Sequence, residues 1–164
     1  GLGWATASLV PEAAVTLLVG VVGLAFAVNL LVRHRAVTEP RRAEWGKGLF
    51  WMAIAGFTSF VSHSGAPPYQ VFTLPLGLRK AVFAGTATIA FAYVNALKLI
   101  PYYVLGQLSV ANLKHALVLA PVAAVSVFAG VWAVRKLPER KFFRLVIWAL
   151  LILSVQLLWT GLWA

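Results

Sequence analysis

Three apolar runs decide what this chain can be. Residues 13–32 (AAVTLLVGVVGLAFAVNLLV), 113–134 and 145–163 each approach or reach the roughly 20 residues that a helix needs to cross about 30 Å of hydrocarbon. Runs of that length exclude a single soluble domain and predict an all-α polytopic membrane protein. Composition agrees: 62% of residues are hydrophobic, 11% are charged and the mean hydropathy is +0.89, outside the soluble range. Cysteine is absent, which removes disulfides, thiolate catalysis and cysteine metal sites. The first residue is Gly1 and no signal-peptide n-region follows it, so the sequence reads as a processed or partial chain.

The formal net charge of +10 raises the question of a nucleic-acid partner, and the placement of the charge excludes one. Twelve of the fourteen Lys and Arg residues lie in three short loops: Arg33, Arg35, Arg41, Arg42 and Lys47; Arg79 and Lys80; Arg135, Lys136, Arg140, Lys141 and Arg144. Short basic loops beside apolar spans mark the cytoplasmic face, where they also meet anionic lipid headgroups. Membrane lipids are therefore the expected partner of this charge.

The same loops predict the path of the chain. A span near 9–32 runs inward, because residues 1–32 hold no Lys or Arg and residues 33–47 hold five. The span near 113–134 also runs inward, to the third loop, and 142–162 returns outward. The span 81–104 starts inside at Arg79-Lys80 and ends outside. That makes about four transmembrane helices and leaves residues 48–78 to begin and end on one side. These 31 residues are too many for one crossing and too few for two. A re-entrant, broken helical hairpin is predicted, in which 48–61 enters, S-H-S-G-A-P-P turns near the midplane and 69–78 returns.

The tip carries the polar chemistry. Pro67 and Pro68 lack N–H donors, and Pro68 biases Pro67 away from helix; Gly65 frees the backbone. Broken backbone at membrane depth is tolerated only inside protein or beside a water-filled cavity, and the exposed helix ends attract anions. Ser62, His63, Ser64, Gly65 and Gln70 are the candidate substrate-binding residues there. Histidine is the side chain that changes charge near neutral pH, so His63 also suggests proton coupling. The structural alternative is a kink in which His63 bonds a neighbouring carbonyl.

On the span 81–104, Thr88, Phe91, Asn95, Lys98 and Tyr102 fall on one stripe at helical spacing. Thr86, Asn95 and Lys98 join the candidate list, since a membrane-embedded Lys is costly. Lys98 lies about 27 Å along the helix from Lys80, at about 1.5 Å per residue, so snorkelling to headgroups is the alternative. Asn95 has a helix–helix hydrogen bond as its alternative. Trp51, Trp132, Trp148, Trp159 and Trp163 read as interface anchors or lipid-facing packing.

An internal echo accompanies this layout. Pro11-Glu12, sixteen residues, then Asn29-Leu30-Leu31 matches Pro138-Glu139, sixteen residues, then Gln156-Leu157-Leu158. The charge pattern gives the two copies opposite orientations, as an inverted repeat would.

TSFVSHSGAPPYQVFTLPLGL (58–78) followed by GTATIAFAYVNALKLIPYYVLGQLS (85–109) resembles the second half of the TauE/SafE sulfite exporter family, also called toluenesulfonate uptake permeases. S-H-x-G-x-P-P with the following G-T and N-x-x-K carries the resemblance, which continues to the carboxyl end. It implies the second half of an inverted-repeat transporter fold: 1–32 as the last helix of the first repeat, 33–47 as a basic cytoplasmic loop and 48–164 as the second repeat. It further implies a bacterial inner-membrane transporter of sulfite, sulfonates or related organosulfur and organic anions, acting with a missing N-terminal half or as a homodimer.

Other functions are weighed against that reading. A Ser64–His63 hydrolase fails because sequence neighbours rarely aim at each other and no membrane Asp or Glu orients the imidazole. Metal binding lacks carboxylates, since only Glu12, Glu39, Glu44 and Glu139 exist. No enzyme activity, cofactor or metal is expected. A passive anion channel and a non-transporting scaffold subunit stay open.

Overall fold

The computed structural model describes residues 11–33, 41–104, 106 and 110–163. Among these residues all regular structure is helical: α1 (Glu12–Arg33), α2 (Trp45–Val61), α3 (Ala66–Thr73), a 3-10 turn (Leu74–Leu76), α4 (Lys80–Val104), α5 (Val110–Lys136) and α6 (Glu139–Trp163). Four of them, α1, α4, α5 and α6, are long and apolar enough to cross a membrane. The chain is an all-α polytopic membrane protein. Helices suit that role because each satisfies its own backbone groups without water. The described residues form two compact units, one running up to Arg79 and resuming at Phe143, the other spanning Lys80–Phe142.

In the first unit, α1 buries one stripe, Val15, Val19, Gly23, Ala27 and Leu30, the three- and four-residue spacing of a helix face. Its glycines admit α6 to close range. A methyl group on Gly20 would stand 3.1 Å from the backbone nitrogen of Leu158, and one on Gly161 would stand 3.2 Å from that of Leu17. Partner numbers fall on α6 as they rise on α1, so the two helices run antiparallel. Small residues at such crossings are how apolar helices gain packing when lipid offers equal hydrophobicity. The two copies of the Pro-Glu echo are these two helices. Thr16, Gly20, Gly23 and Ala27 align with Phe143, Ile147, Leu150 and Ser154, and all eight are buried.

The predicted hairpin forms from α2 and α3. Its mouth is closed by Arg41 N–H donating to Pro75 O at 2.9 Å. Higher up, Gly48 lies against the ring of Phe72. The returning arm ends in the 3-10 turn and at Gly77, whose φ of +60° suits a residue without Cβ.

One feature of the tip differs from expectation. The break occupies Ser62–Gly65 alone, and Pro67 and Pro68 stand in the first turn of α3. First-turn N–H groups have no acceptor inside the helix, so proline there loses nothing and its fixed φ favours the start. The prolines begin the second arm; they do not make the turn.

The second unit is stitched at its basic end. Glu139 accepts a hydrogen bond from Lys80 N–H at 3.1 Å, and Lys80 Nζ donates to Leu137 O at 2.6 Å. A carboxylate thus meets the N-terminal end of α4 and a cation the C-terminal carbonyls of α5, the signs that helix dipoles favour. Phe83 packs edge-on against Phe142, centroids 6.4 Å apart.

Candidate functional site

The break between α2 and α3 is built by the backbone folding over its own last turn. Ser62 N–H and Ser64 N–H both donate to Thr58 O, at 3.0 and 3.2 Å. The Ser62 hydroxyl donates to the same carbonyl at 3.1 Å, and Ser64 Oγ donates to Ser62 O at 2.8 Å. Both serine protons are therefore committed to holding the turn, and only lone pairs remain to face a ligand. His63 is exposed and adopts φ +53°, a left-handed conformation that costs a side-chain-bearing residue about 1–2 kcal/mol. Gly65 caps α3 without a side-chain hydrogen bond. Pro67 and Pro68 bring no N–H and Tyr69 N–H donates to Gly65 O at 3.3 Å, so this turn offers fewer amide donors than an ordinary helix start.

Two unpartnered polar atoms lie deeper in this unit. The Oε1 of Gln70, in the second turn of α3, is buried without a hydrogen bond. Its amide can be turned so that an N–H donor takes the same place. The hydroxyl of Ser154 on α6, a residue 0% exposed, also lacks a partner. The place a Cβ on Gly23 would occupy touches Ser154 Oγ and lies 3.1 Å from Pro67 Cβ. Ser154 therefore stands beside the first turn of α3. A buried hydroxyl left unpaired costs about 1–3 kcal/mol, a cost that native interiors offset with an ordered water, an ion or a ligand.

The remaining candidates lie on α4 in the second unit. Lys98 is only 7% exposed. Asn95 and Thr86 are exposed. They are nine residues apart, which at about 100° per residue puts them on opposite sides of the helix. Thr86 Oγ1 donates to Val82 O at 2.7 Å and Thr88 Oγ1 to Ala84 O at 2.9 Å, each spending its proton on its own helix. The predicted stripe is also displaced. Burial runs through Ala84, Ala87, Phe91, Val94 and Lys98, with Thr88 and Asn95 at its exposed margin. Thr86 therefore cannot share a cavity wall with Asn95.

Ser154 was missed in the sequence because a serine in an apolar helix ordinarily bonds the carbonyl four residues back. The available signal was the spacing of small residues, Ser154 and Gly161 on α6 against Gly20 and Gly23 on α1.

Neither a curated protein nor a solved structure matches the chain. The family model described as sulfite exporter TauE/SafE matches residues 1–157, nearly the whole length. With four helices long and apolar enough to cross a membrane and a broken helical hairpin, this multi-pass membrane protein belongs to the TauE/SafE sulfite exporter family, a family of membrane transporters.

Proposed function

We propose that the protein moves a small anion, of the sulfite, sulfonate or related organic class, across a bacterial inner membrane and holds it at the first turn of α3. The observation that carries this reading is the unpartnered, fully buried hydroxyl of Ser154 beside that turn. A hydroxyl proton is what a desolvated oxyanion needs in a low-dielectric interior, and the dipole of α3 adds to it although Pro67 and Pro68 bring no N–H. Gln70 supplies a second orphaned group one turn on. His63 stands at the mouth of the break and supplies a titratable group for proton coupling. Lys98 and Asn95 on α4 are candidate anion contacts by their side-chain chemistry, and the Pro-Glu echo of α1 and α6 is read as the trace of two inverted repeats, with 48–164 as the second.

The test is uptake of radiolabelled sulfite and of a sulfonate into proteoliposomes, with and without an imposed pH gradient. Ser154→Ala is expected to weaken apparent affinity about tenfold or more, the worth of a hydrogen bond to a charged group. The same change should raise thermal stability, because it deletes an unsatisfied buried hydroxyl. His63→Ala should slow uptake in a protein that still folds and inserts, and His63→Gln should bind substrate yet lose the pH dependence. Wild-type uptake and pH profiles in all three variants would remove the tip as the substrate site.

A further inference from the structure

Apart from the tip, the first unit holds a cleft of about 380 Å³ at the mouth of the hairpin. Its lining combines the charged residues Arg41, Arg42, Glu44 and Lys47 with apolar ones, Trp51 of α2 and Phe72 and Leu76 of the returning arm. Lys47 is paired with Glu44 at 2.8 Å. Three cations against one carboxylate leave a local charge of 3 − 1 = +2. Both guanidiniums are exposed and make no ion pair among the described residues. The cleft is held in shape from below, since Arg41 N–H is bonded to Pro75 O.

We infer that this cleft binds the phosphate head of an anionic membrane lipid. The charge selects the ligand first. Adjacent guanidiniums present planar, paired donors that match phosphate oxygens, and a surplus of +2 favours a phosphodiester without its own ammonium. The apolar wall selects the source. A free oxyanion has no use for Trp51, Phe72 and Leu76, whereas the glycerol and first methylenes below a lipid phosphate do. The flank of α2 fixes the depth: Trp45 is 88% exposed, with Leu49 and Phe50 also exposed in the next turn, the aromatic and apolar composition of a headgroup boundary. Trp51, expected from sequence to be an interface anchor or lipid-facing packing, is half-buried and lines the cleft.

The site is independent of the transport reading, and its test needs no transported substrate. The full chain is reconstituted in phosphatidylcholine vesicles with or without phosphatidylglycerol, extracted mildly, and its retained lipids are counted by native mass spectrometry. Wild type is expected to retain phosphatidylglycerol over phosphatidylcholine. Arg41→Ala with Arg42→Ala should lower that retention about tenfold. Arg41→Lys with Arg42→Lys keeps the charge that orients the chain, and should give an intermediate loss because the paired donors are gone. Arg140→Ala with Arg144→Ala removes equal charge from the first turns of α6 and should change nothing. An equal loss in that control pair, or full retention in both Arg41/Arg42 pairs, overturns the site. Displacement of the lipid by inorganic phosphate at matched ionic strength overturns the lipid source and reassigns the cleft to a free oxyanion.

Discussion

Gly23 has no room for a methyl group: its Cβ would run into Ser154 Oγ while already touching Pro67. Gly23→Ala should therefore cost about 1–3 kcal/mol, the range for overpacking, read as a lowered midpoint of thermal unfolding in detergent. Adding Ser154→Gly should restore most of it, because the clash is with that side chain. His63 makes the opposite kind of case. Its left-handed backbone predicts that His63→Gly holds or gains stability, while His63→Val loses more than the original strain of about 1–2 kcal/mol, since a β-branched residue resists φ > 0 more strongly. A loss of stability in His63→Gly would mean the imidazole itself braces the turn. The need for polar groups at residues 62–70 was legible from the sequence, because a helix break inside apolar sequence has few lawful uses. Which hydroxyls are spent was not legible. Ser62 and Ser64 close the turn with their own protons, whereas Ser154, in an unremarkable apolar helix, keeps its proton available. That distinction depends on three helices meeting at Gly23, which no local pattern encodes.

The hairpin was legible as an element because charge on both flanks of 48–78 required the chain to return, and the Arg41–Pro75 bond closes that return. Its internal boundary was not, because proline reads as a breaker in sequence and acts as a starter in a first turn. Pro67→Ala is accordingly expected to cost about 1 kcal/mol of unfolded-chain entropy together with about 0.8 kcal/mol for each buried ring methylene lost, since Pro67 is buried. A larger loss in thermal unfolding would return Pro67 to the role of turn-maker. At the basic end of α4 and α5, Glu139→Ala should release the first amides of α4. Faster hydrogen exchange at residues 80–83, with residues near 95 unchanged, is the expected result. The packed face of α4 is turned only about 40° from the expected stripe, with Phe91 and Lys98 common to both. Threonines near the stripe looked like cavity lining, but a threonine in a membrane helix satisfies its hydroxyl on the preceding turn and needs no neighbour.

For the whole molecule, basic loops and antiparallel α1 and α6 make a topological prediction. Cysteines placed at residues 37 and 77, the first of which lies outside the described residues, should both react with an impermeant thiol reagent from the cytoplasmic face. One at residue 110 should react from the other. Labelling of 37 and 77 from opposite faces would eliminate a hairpin that enters and leaves on one side. The division into two units was not legible, since α5 is apolar on every side and its pattern names no preferred neighbour. No described residue of α5 is buried. Between His115 and Arg135 its apolar stretch, residues 116–134, is about 28 Å long, close to about 30 Å of hydrocarbon. A helix this unpacked takes its tilt from the bilayer, while Lys80 ties down the chain at its C-terminal end. In a thin membrane α5 leans and in a thick one it stands, which makes it a gauge of bilayer thickness fixed at one end.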